Sequence, residues 1–197
     1  MTDPPPVRSA GVRVLTTATP APAGGPAPGP AAGPLSAATF EALYRATVDD
    51  LFAYVATLVR DRGAAEDVVA AAFERAYRRL GTYDPRRGSE RQWLFGIARH
   101  AALDELRRRR RVAALAAEPG ATELVFADDA ADPVRRATVR AALAALEPRD
   151  RELVALKFFA GLDNAEIAGV LGISPSNAGT RLHRAVHRLR EACHAPS

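Results

Sequence analysis

The feature that most constrains the fold is the spacing of apolar residues, which recur every three or four positions from Phe40 onward. In the first such stretch they are Phe40, Leu43, Tyr44, Val48, Leu51, Phe52, Val55, Leu58 and Val59. This spacing places the side chains on one face of a helix. No segment shows the strict polar and apolar alternation of a half-buried strand. The sequence therefore predicts an all-α protein.

Turn and capping residues divide the first half of the chain into three helices. The first is expected to end near residues 61–63. The second has Glu66 and Asp67 in its first turn, where the helix dipole favours anions, and ends at Gly81. Its buried stripe is expected to comprise Val68, Val69, Ala72, Phe73, Ala76, Tyr77 and Leu80.

A third helix is predicted after a loop of turn residues. Ser89 and Gln92 have the spacing of a capping box, and the helix runs to about Arg111. It ends in five consecutive arginines, residues 107–111. Five consecutive residues cannot share one helix face, so some of these arginines face solvent or phosphate.

The last part of the chain is predicted to form two short helices joined by a tight turn. Asp163 and Glu166 form a capping box, and Gly172 makes the turn. Ser174 then caps a helix over residues 175–193. Two earlier helices, opening at Pro133 and Pro148, precede this pair. The arrangement predicts a helix-turn-helix.

Composition divides the chain into four parts. Residues 1–38 contain nine prolines, five glycines and no aromatic residue, and are predicted to be a disordered tail. Residues 112–133 hold five acidic and no basic side chains, and are predicted to be a flexible acidic linker. Two small helical domains remain, 39–111 and 134–194.

Residues 86–111 carry nine basic and three acidic side chains, which makes nucleic acid the natural partner.

The final helix carries polar side chains suited to DNA on one side. They are Ser176, Asn177, Thr180, Arg181 and Arg184. Leu182, Val186 and Leu189 lie on the opposite side and are expected to face the core, so that Arg181 points outward. The alternative is a solvated basic face on an ordinary core helix.

Several classes of protein fit the sequence poorly. No apolar run approaches the length of about twenty residues that a membrane span needs, and the N-terminus does not resemble an export signal, so we expect a cytoplasmic protein without membrane insertion. The single cysteine, Cys193, cannot form an internal disulfide. His183 and His187 have helical spacing, but no carboxylate completes a metal cage. No phosphate loop or activated nucleophile is present, so we expect neither a cofactor, a metal nor enzymatic activity.

An ordered set of motifs resembles the extracytoplasmic-function (ECF) group of bacterial sigma factors, in the sigma-70 family. The resemblance covers residues 39–192. The motifs are residues 66–69 (EDVV), 93–99 (WLFGIAR), Asp104, 106–108 (LRR), 146–153 (LEPRDREL), 165–168 (AEIA), 171–174 (LGIS) and 181–185 (RLHRA). A set of motifs in the family's order is more specific than any one of them.

The resemblance implies that the first helical domain recognises the promoter −10 element and the second the −35 element, both on core RNA polymerase. Residues implied to contact polymerase are Asp67, Val69 and Phe73. Residues implied in −10 recognition and strand opening are Arg86, Arg87, Arg91, Trp93, Arg99, His100, Arg107 and Arg108. The expected partners are core RNA polymerase, promoter DNA and an anti-sigma factor.

Two other functions are alternatives to this one. A stand-alone helix-turn-helix repressor or activator would bind its operator without polymerase, usually as a dimer. A helical nuclease would need an acidic metal cluster beside the basic helix, and only Asp104 and Glu105 lie there.

Overall fold

The computed structural model describes residues 35–116 and 133–194. Most of the predicted tail, and residues 117–132 of the predicted linker, lie outside this part. The α-helices of the described part are α1 (Ala37–Val59), α2 (Arg62–Arg78), α3 (Glu90–Ala116), α4 (Pro133–Ala145), α5 (Pro148–Phe158), α6 (Asn164–Leu171) and α7 (Pro175–His194). Two short 3₁₀ turns, Leu80–Thr82 and Pro85–Arg87, connect α2 to α3. The described residues contain no strand, and the predicted all-α class is confirmed.

The junction between α1 and α2 differs from the prediction. Arg60 ends α1 in the left-handed conformation, with a φ of 59°. Asp61 is the N-cap of α2, because its carboxylate accepts a hydrogen bond of 2.8 Å from the backbone N–H of Ala64. Glu66 and Asp67 therefore lie beyond the first turn of α2, and their predicted position was wrong. The short Asp61 side chain supplies the anion at that helix end instead.

Two helix ends lie outside the predicted domain boundaries. Ser36 caps α1 by accepting a 3.1 Å hydrogen bond from the N–H of Thr39, and Leu35 is buried in the core. The folded chain therefore includes residues placed in the tail by composition alone. At the other end, α3 continues beyond Arg111 to Ala116.

One hydrophobic core joins helices from both halves of the sequence. We call α1–α3 the N-terminal group and α4–α7 the C-terminal group. Leu51 and Phe95 of the first group and Leu153 and Leu156 of the second are fully buried in the same cluster. Helix α1 packs against α5, and α3 packs against α6. Each such side chain contributes roughly 1.5–3 kcal/mol by its burial, so the apolar contact between the groups is substantial.

Arg151 joins α4 to α5. Its guanidinium donates hydrogen bonds to the carbonyl oxygens of Leu143 (2.8 Å), Ala144 (3.0 Å) and Leu146 (2.8 Å). The first two carbonyls belong to the last turn of α4 and the third to the residue that follows it, where no further turn supplies donors. Burial lowers the pKa of Arg151 below its usual value, and neighbouring Arg60 acts in the same direction. The arginine replaces the missing helical donors.

The helix-turn-helix forms as the sequence predicts. Asp163 and Glu166 make both hydrogen bonds of a capping box at the start of α6. Gly172 ends α6 with a φ of 68°, a conformation that favours glycine. Ser174 accepts a 3.2 Å hydrogen bond from the N–H of Asn177 in the first turn of α7. An added Cβ on Gly179 would lie 3.2 Å from the side-chain nitrogen of Asn164, so this glycine lets α6 and α7 approach closely.

Candidate nucleic-acid interface

The first half of α7 presents an exposed polar surface. Ser176, Asn177, Thr180 and Arg184 are all exposed, while Ala178, Leu182 and Ala185 of the same helix are buried. The split follows the 3.6-residue period of a helix whose other side packs against the core. Hydroxyl, amide and guanidinium groups are those that pair with base edges and phosphates. The exposed side therefore has the chemistry of a DNA-contacting helix.

Arg181 differs from its neighbours on this surface. It is half-buried, and its guanidinium lies 3.3 Å from the carboxylate of Asp150 in α5. The same carboxylate accepts a 2.6 Å hydrogen bond from Arg188. Asp150 is buried, so these two arginines are the partners that stabilise its charge. Arg181 is thus held against α5 and does not point freely outward as predicted.

The connection between α2 and α3 exposes two arginines, and a partly accessible tryptophan follows in the first turn of α3. Arg86 and Arg87 are exposed, and Arg86 lies 3.1 Å from the carboxylate of Asp84. This hydrogen bond lowers the pKa of Asp84. Trp93 is half-buried and packs against Tyr83, with 5.6 Å between ring centroids. The tryptophan side chain therefore remains partly accessible.

Arg91 and Arg99 are half-buried and contact the C-terminal group. Arg91 donates to Asp50 of α1 and to the carbonyl oxygen of Ala160, which follows α5. Arg99 donates a 2.7 Å hydrogen bond to Glu152 of α5. These partners could not be predicted from local sequence, because Glu152 lies 53 residues from Arg99 and Ala160 lies 69 residues from Arg91.

Tyr54 completes the buried polar cluster around Glu152. Its hydroxyl donates to the same carboxylate oxygen as Arg99, at 3.3 Å. Burial, with the charge of Glu152, raises the pKa of Tyr54 well above its usual value. The tyrosine therefore stays neutral and serves as a donor. This residue was not among the predicted functional residues.

The remaining predicted −10 residues lie on the exposed side of α3. His100 is exposed, with Nδ1 2.7 Å from the carbonyl oxygen of Gly96. Exposed Arg107 and Arg108 form ion pairs with Asp104 (2.9 Å) and Glu105 (2.7 Å), respectively. Such surface pairs are weak and exchange readily with other anions.

Glu105 binds two arginines at once. Besides Arg108, it accepts a 2.8 Å hydrogen bond from Arg109, which also lies 3.1 Å from Asp61. The hydrogen bonds from Arg108 and Arg109 lower the pKa of Glu105 from 4.5 to about 2. The pairing fixes the arginine run of α3 to the start of α2.

The three residues implied in polymerase contact do not share an exposed surface. Asp67 is exposed, whereas Val69 and Phe73 are buried. The Phe73 ring packs against the rings of Phe40 and Tyr44 in α1, with centroids 6.3 and 4.6 Å apart. Val69 and Phe73 thus belong to the core of the N-terminal group.

Tyr77 was expected in the buried stripe of α2, and that expectation was wrong. Its side chain is 57% exposed, because Phe40 covers only part of the ring. The exposed side of α2 also includes Ala70, Ala71 and Glu74. An exposed tyrosine beside small side chains is a surface that another protein can pack against.

Two further features bear on the possible chemistry. Within the described ranges no three His, Cys, Asp or Glu side chains are grouped to hold a metal ion. None of the helices in these ranges is long and apolar enough to cross a membrane.

A helix-turn-helix with an exposed polar recognition helix, packed on a bundle whose third helix is rich in arginine, defines a DNA-binding protein. Family models agree with the two groups: Sigma-70 region 2 matches residues 43–112, and Sigma-70, region 4 matches residues 136–189. The chain belongs to the sigma-70 family and is an ECF RNA polymerase sigma factor.

Curated relatives align over most of their length. RNA polymerase sigma factor CarQ of Myxococcus xanthus is 38% identical over 154 residues, which cover 77% of this chain and 87% of CarQ. ECF RNA polymerase sigma factor SigL of Mycobacterium tuberculosis is 33% identical over 161 residues, which cover 79% of this chain and 91% of SigL.

Solved structures show the same fold. The sigma factor RpoE of Bartonella quintana, crystallised with the anti-sigma factor NepR, superposes with a TM-score of 0.71 at 20% identity, over 80% of this chain and 98% of RpoE. CnrH, in complex with the cytosolic domain of CnrY, gives a TM-score of 0.60 at 27% identity, over 82% of this chain and 92% of CnrH.

Proposed function

We propose that this chain binds core RNA polymerase, directs it to promoters with particular −10 and −35 elements, and helps to open the DNA strands. The observation that carries the proposal is the exposed polar half of α7 on a helix-turn-helix, joined in one chain to the arginine-rich α3. The chain has no catalytic role of its own, and it acts in the cytoplasm, where promoters and polymerase are found.

For the −35 element we assign recognition to the first half of α7. Ser176, Asn177, Thr180 and Arg184 are exposed and lie within the first three turns, which is the part of a recognition helix that enters the major groove. Arg181, with its guanidinium held by Asp150, lies between them. Its fixed position favours a directed contact with a base or phosphate over a mobile one.

For the −10 element we assign strand opening to Trp93 with Arg86 and Arg87. Stacking of an unpaired base on an aromatic side chain is worth about 1–3 kcal/mol, which offsets the cost of separating a base pair. The two exposed arginines are available for the adjoining phosphates. His100, Arg107 and Arg108 extend this basic surface along α3.

For polymerase binding we assign the exposed side of α2. Asp67, Ala70, Ala71 and Tyr77 lie there. Val69 and Phe73 support this side from within the core and act through the position of α2. The structures of RpoE and CnrH each include a protein partner, and we propose an anti-sigma factor for this chain as well.

The test is run-off transcription with purified core polymerase and genomic promoter fragments. We expect defined transcripts only when this chain and polymerase are both present. Arg184→Ala should abolish most of the signal, while Arg149→Ala, an exposed arginine of α5, should leave it unchanged. If the chain binds duplex DNA tightly alone and polymerase adds no transcript, a stand-alone regulator is the better explanation.

A further inference from the structure

We propose that Asp150 determines how strictly α7 discriminates between −35 sequences, because it binds two arginines of that helix and so limits their contact with DNA of any sequence. The inference rests on the proposed function, since it takes α7 as the helix that enters the −35 element. Asp150 belongs to α5, and its own side chain is only 12% exposed. It is therefore a positioning residue that acts through the arginines it binds.

Each oxygen of the Asp150 carboxylate accepts a hydrogen bond from a different arginine of α7. Oδ1 lies 3.3 Å from Nη2 of Arg181, and Oδ2 lies 2.6 Å from Nη1 of Arg188. The two arginines are two helical turns apart, so they lie on the same side of α7, about 10 Å from one another along its axis. One carboxylate thus binds guanidinium groups from two successive turns of the recognition helix.

The position of this carboxylate is fixed by the fold. Asp150 lies in the first turn of α5, where the helix dipole favours an anion, and α5 packs against α7. The Arg181 side chain is 30% exposed, so its pairing with Asp150 is partly shielded from water. Charges shielded in this way are screened less than charges on the surface. The contact therefore restrains both arginines more firmly than a surface ion pair restrains its partners.

Without Asp150, α7 would bind DNA of any sequence more tightly. The helix contains four arginines and one acid, Glu191. Arginines bind the phosphates of DNA regardless of sequence. Asp150 offsets one of these positive charges and occupies donors on two of the guanidinium groups, which leaves them less available to phosphates. Specificity is a difference between two affinities, so a lower affinity for incorrect DNA raises the weight of the base contacts.

The contact also orients Arg181. Only its terminal nitrogen Nη2 takes part in the bond to Asp150. A guanidinium carries five N–H donors in one rigid plane, so a bond to one nitrogen sets the direction of the others. Arg181 therefore meets DNA in a defined orientation, and a sequence that places no acceptor there gains little from it.

Removing the charge of Asp150 tests the proposal. Asp150→Asn keeps the shape of the side chain, and Asp150→Glu keeps its charge. Glu147→Gln is the matched control: it changes the net charge equally, at an exposed residue three positions earlier whose side chain makes no capping hydrogen bond. The measurement is fluorescence anisotropy of a labelled duplex of unrelated sequence with the full chain alone, at several salt concentrations, after circular dichroism shows equal helicity.

We expect Asp150→Asn to bind this duplex about eightfold more tightly at about 0.1 M salt, with a log–log salt slope steeper by about 0.9, as one added phosphate contact requires. Glu147→Gln and Asp150→Glu should stay within about twofold of the unchanged chain. A purely structural role of Asp150 would weaken binding instead. Unchanged or weaker binding by Asp150→Asn, or an equal gain by Glu147→Gln, would overturn the proposal.

A second pair of variants keeps Asp150 in place, so it remains decisive if Asp150→Asn does not fold. Arg184→Gln removes an exposed arginine and should flatten the salt slope on the same duplex by about 0.9. Arg188→Gln removes an arginine that Asp150 already binds, and should flatten the slope by less than half as much. Equal flattening by the two variants would show that Asp150 does not withhold Arg188 from phosphates.

Transcription measures the discrimination itself. With core polymerase, the ratio of run-off transcripts from a native and a scrambled −35 element should fall about fivefold or more in Asp150→Asn. An unchanged ratio would contradict the role of Asp150 in specificity. The binding measurements use no polymerase, so they separate the two proposals: an unchanged chain that yields no transcript, while the salt slopes change as expected, would refute the proposed function and not the action of Asp150 on the arginines.

Discussion

The N-terminal and C-terminal groups use arginine in different ways. In α3, Arg91 and Arg99 are half-buried and hold the two groups together, through Ala160 and Glu152 respectively. In α7, Arg184 is exposed on the side opposite the core. The same type of residue therefore holds the two groups together in α3 and forms part of the surface that we assign to DNA in α7. The burial of a guanidinium and the identity of its acceptor decide which role it has.

The largest effect on stability is expected where a buried arginine connects two helices of one group. Arg151→Ala removes three donors from the C-terminal carbonyls of α4 and should lower the free energy of unfolding by about 3 kcal/mol. Arg149→Ala, two residues earlier and exposed, is the control. Urea unfolding followed by circular dichroism measures both. A loss below about 0.5 kcal/mol for Arg151→Ala would show that water replaces these bonds.

Substitutions on the exposed side of α7 should change DNA binding rather than the stability of the fold. Arg184→Ala is expected to cost about 1–3 kcal/mol at the native −35 element, because a guanidinium that pairs with a guanine discriminates between bases. Arg188→Ala removes a partner of Asp150 and should weaken all promoters equally. Initiation from a panel of −35 variants compares them. Equal losses of initiation for the two variants, independent of the −35 sequence, would show that Arg184 does not recognise bases.

Acid should weaken the N-terminal group through Glu105. Its pKa is lowered to about 2 in the folded chain, from 4.5, by Arg108 and Arg109. The stabilisation is therefore complete above about pH 4.5 and is lost as the pH falls toward 2. Since Arg108 is exposed, the effect is on the order of 1 kcal/mol after screening. Glu105→Gln should flatten this part of the pH profile of unfolding; a profile as steep as that of the unchanged chain would exclude Glu105 as its source.

The smallest effect concerns the start of α1. Ser36→Ala removes the cap and should destabilise the chain by about 0.5–1 kcal/mol, whereas Ser36→Asp should keep most of the stability. Thermal unfolding of the two variants side by side is sufficient. Identical melting temperatures for all three chains would mean that the cap contributes nothing.

Local signals predicted the helix-turn-helix well. The capping box of Asp163 and Glu166, the turn at Gly172 and the cap at Ser174 depend on residues three or fewer positions apart, and each is present. The start of α2 was missed because Asp61 also suits a helix end, and only its hydrogen bond to Ala64 shows that it caps the next helix.

Contacts distant in sequence could not be predicted. Nothing near Arg99 indicates that Glu152 is its partner, and nothing near Arg181 indicates Asp150. The sequence spacing placed Tyr77 in the buried stripe, but α1 covers only part of its ring. The chemistry of the basic surfaces was predictable from composition and spacing, whereas which arginines are exposed depends on how the groups pack.

The distance between the two groups tests the account most directly. A donor on Cys193 of α7 and an acceptor on Thr82→Cys, before α3, report that distance by resonance energy transfer. We predict efficient transfer in the free chain, because the two groups share one hydrophobic core. Transfer that is low in the free chain would contradict the account, because the two groups would then not pack against one another.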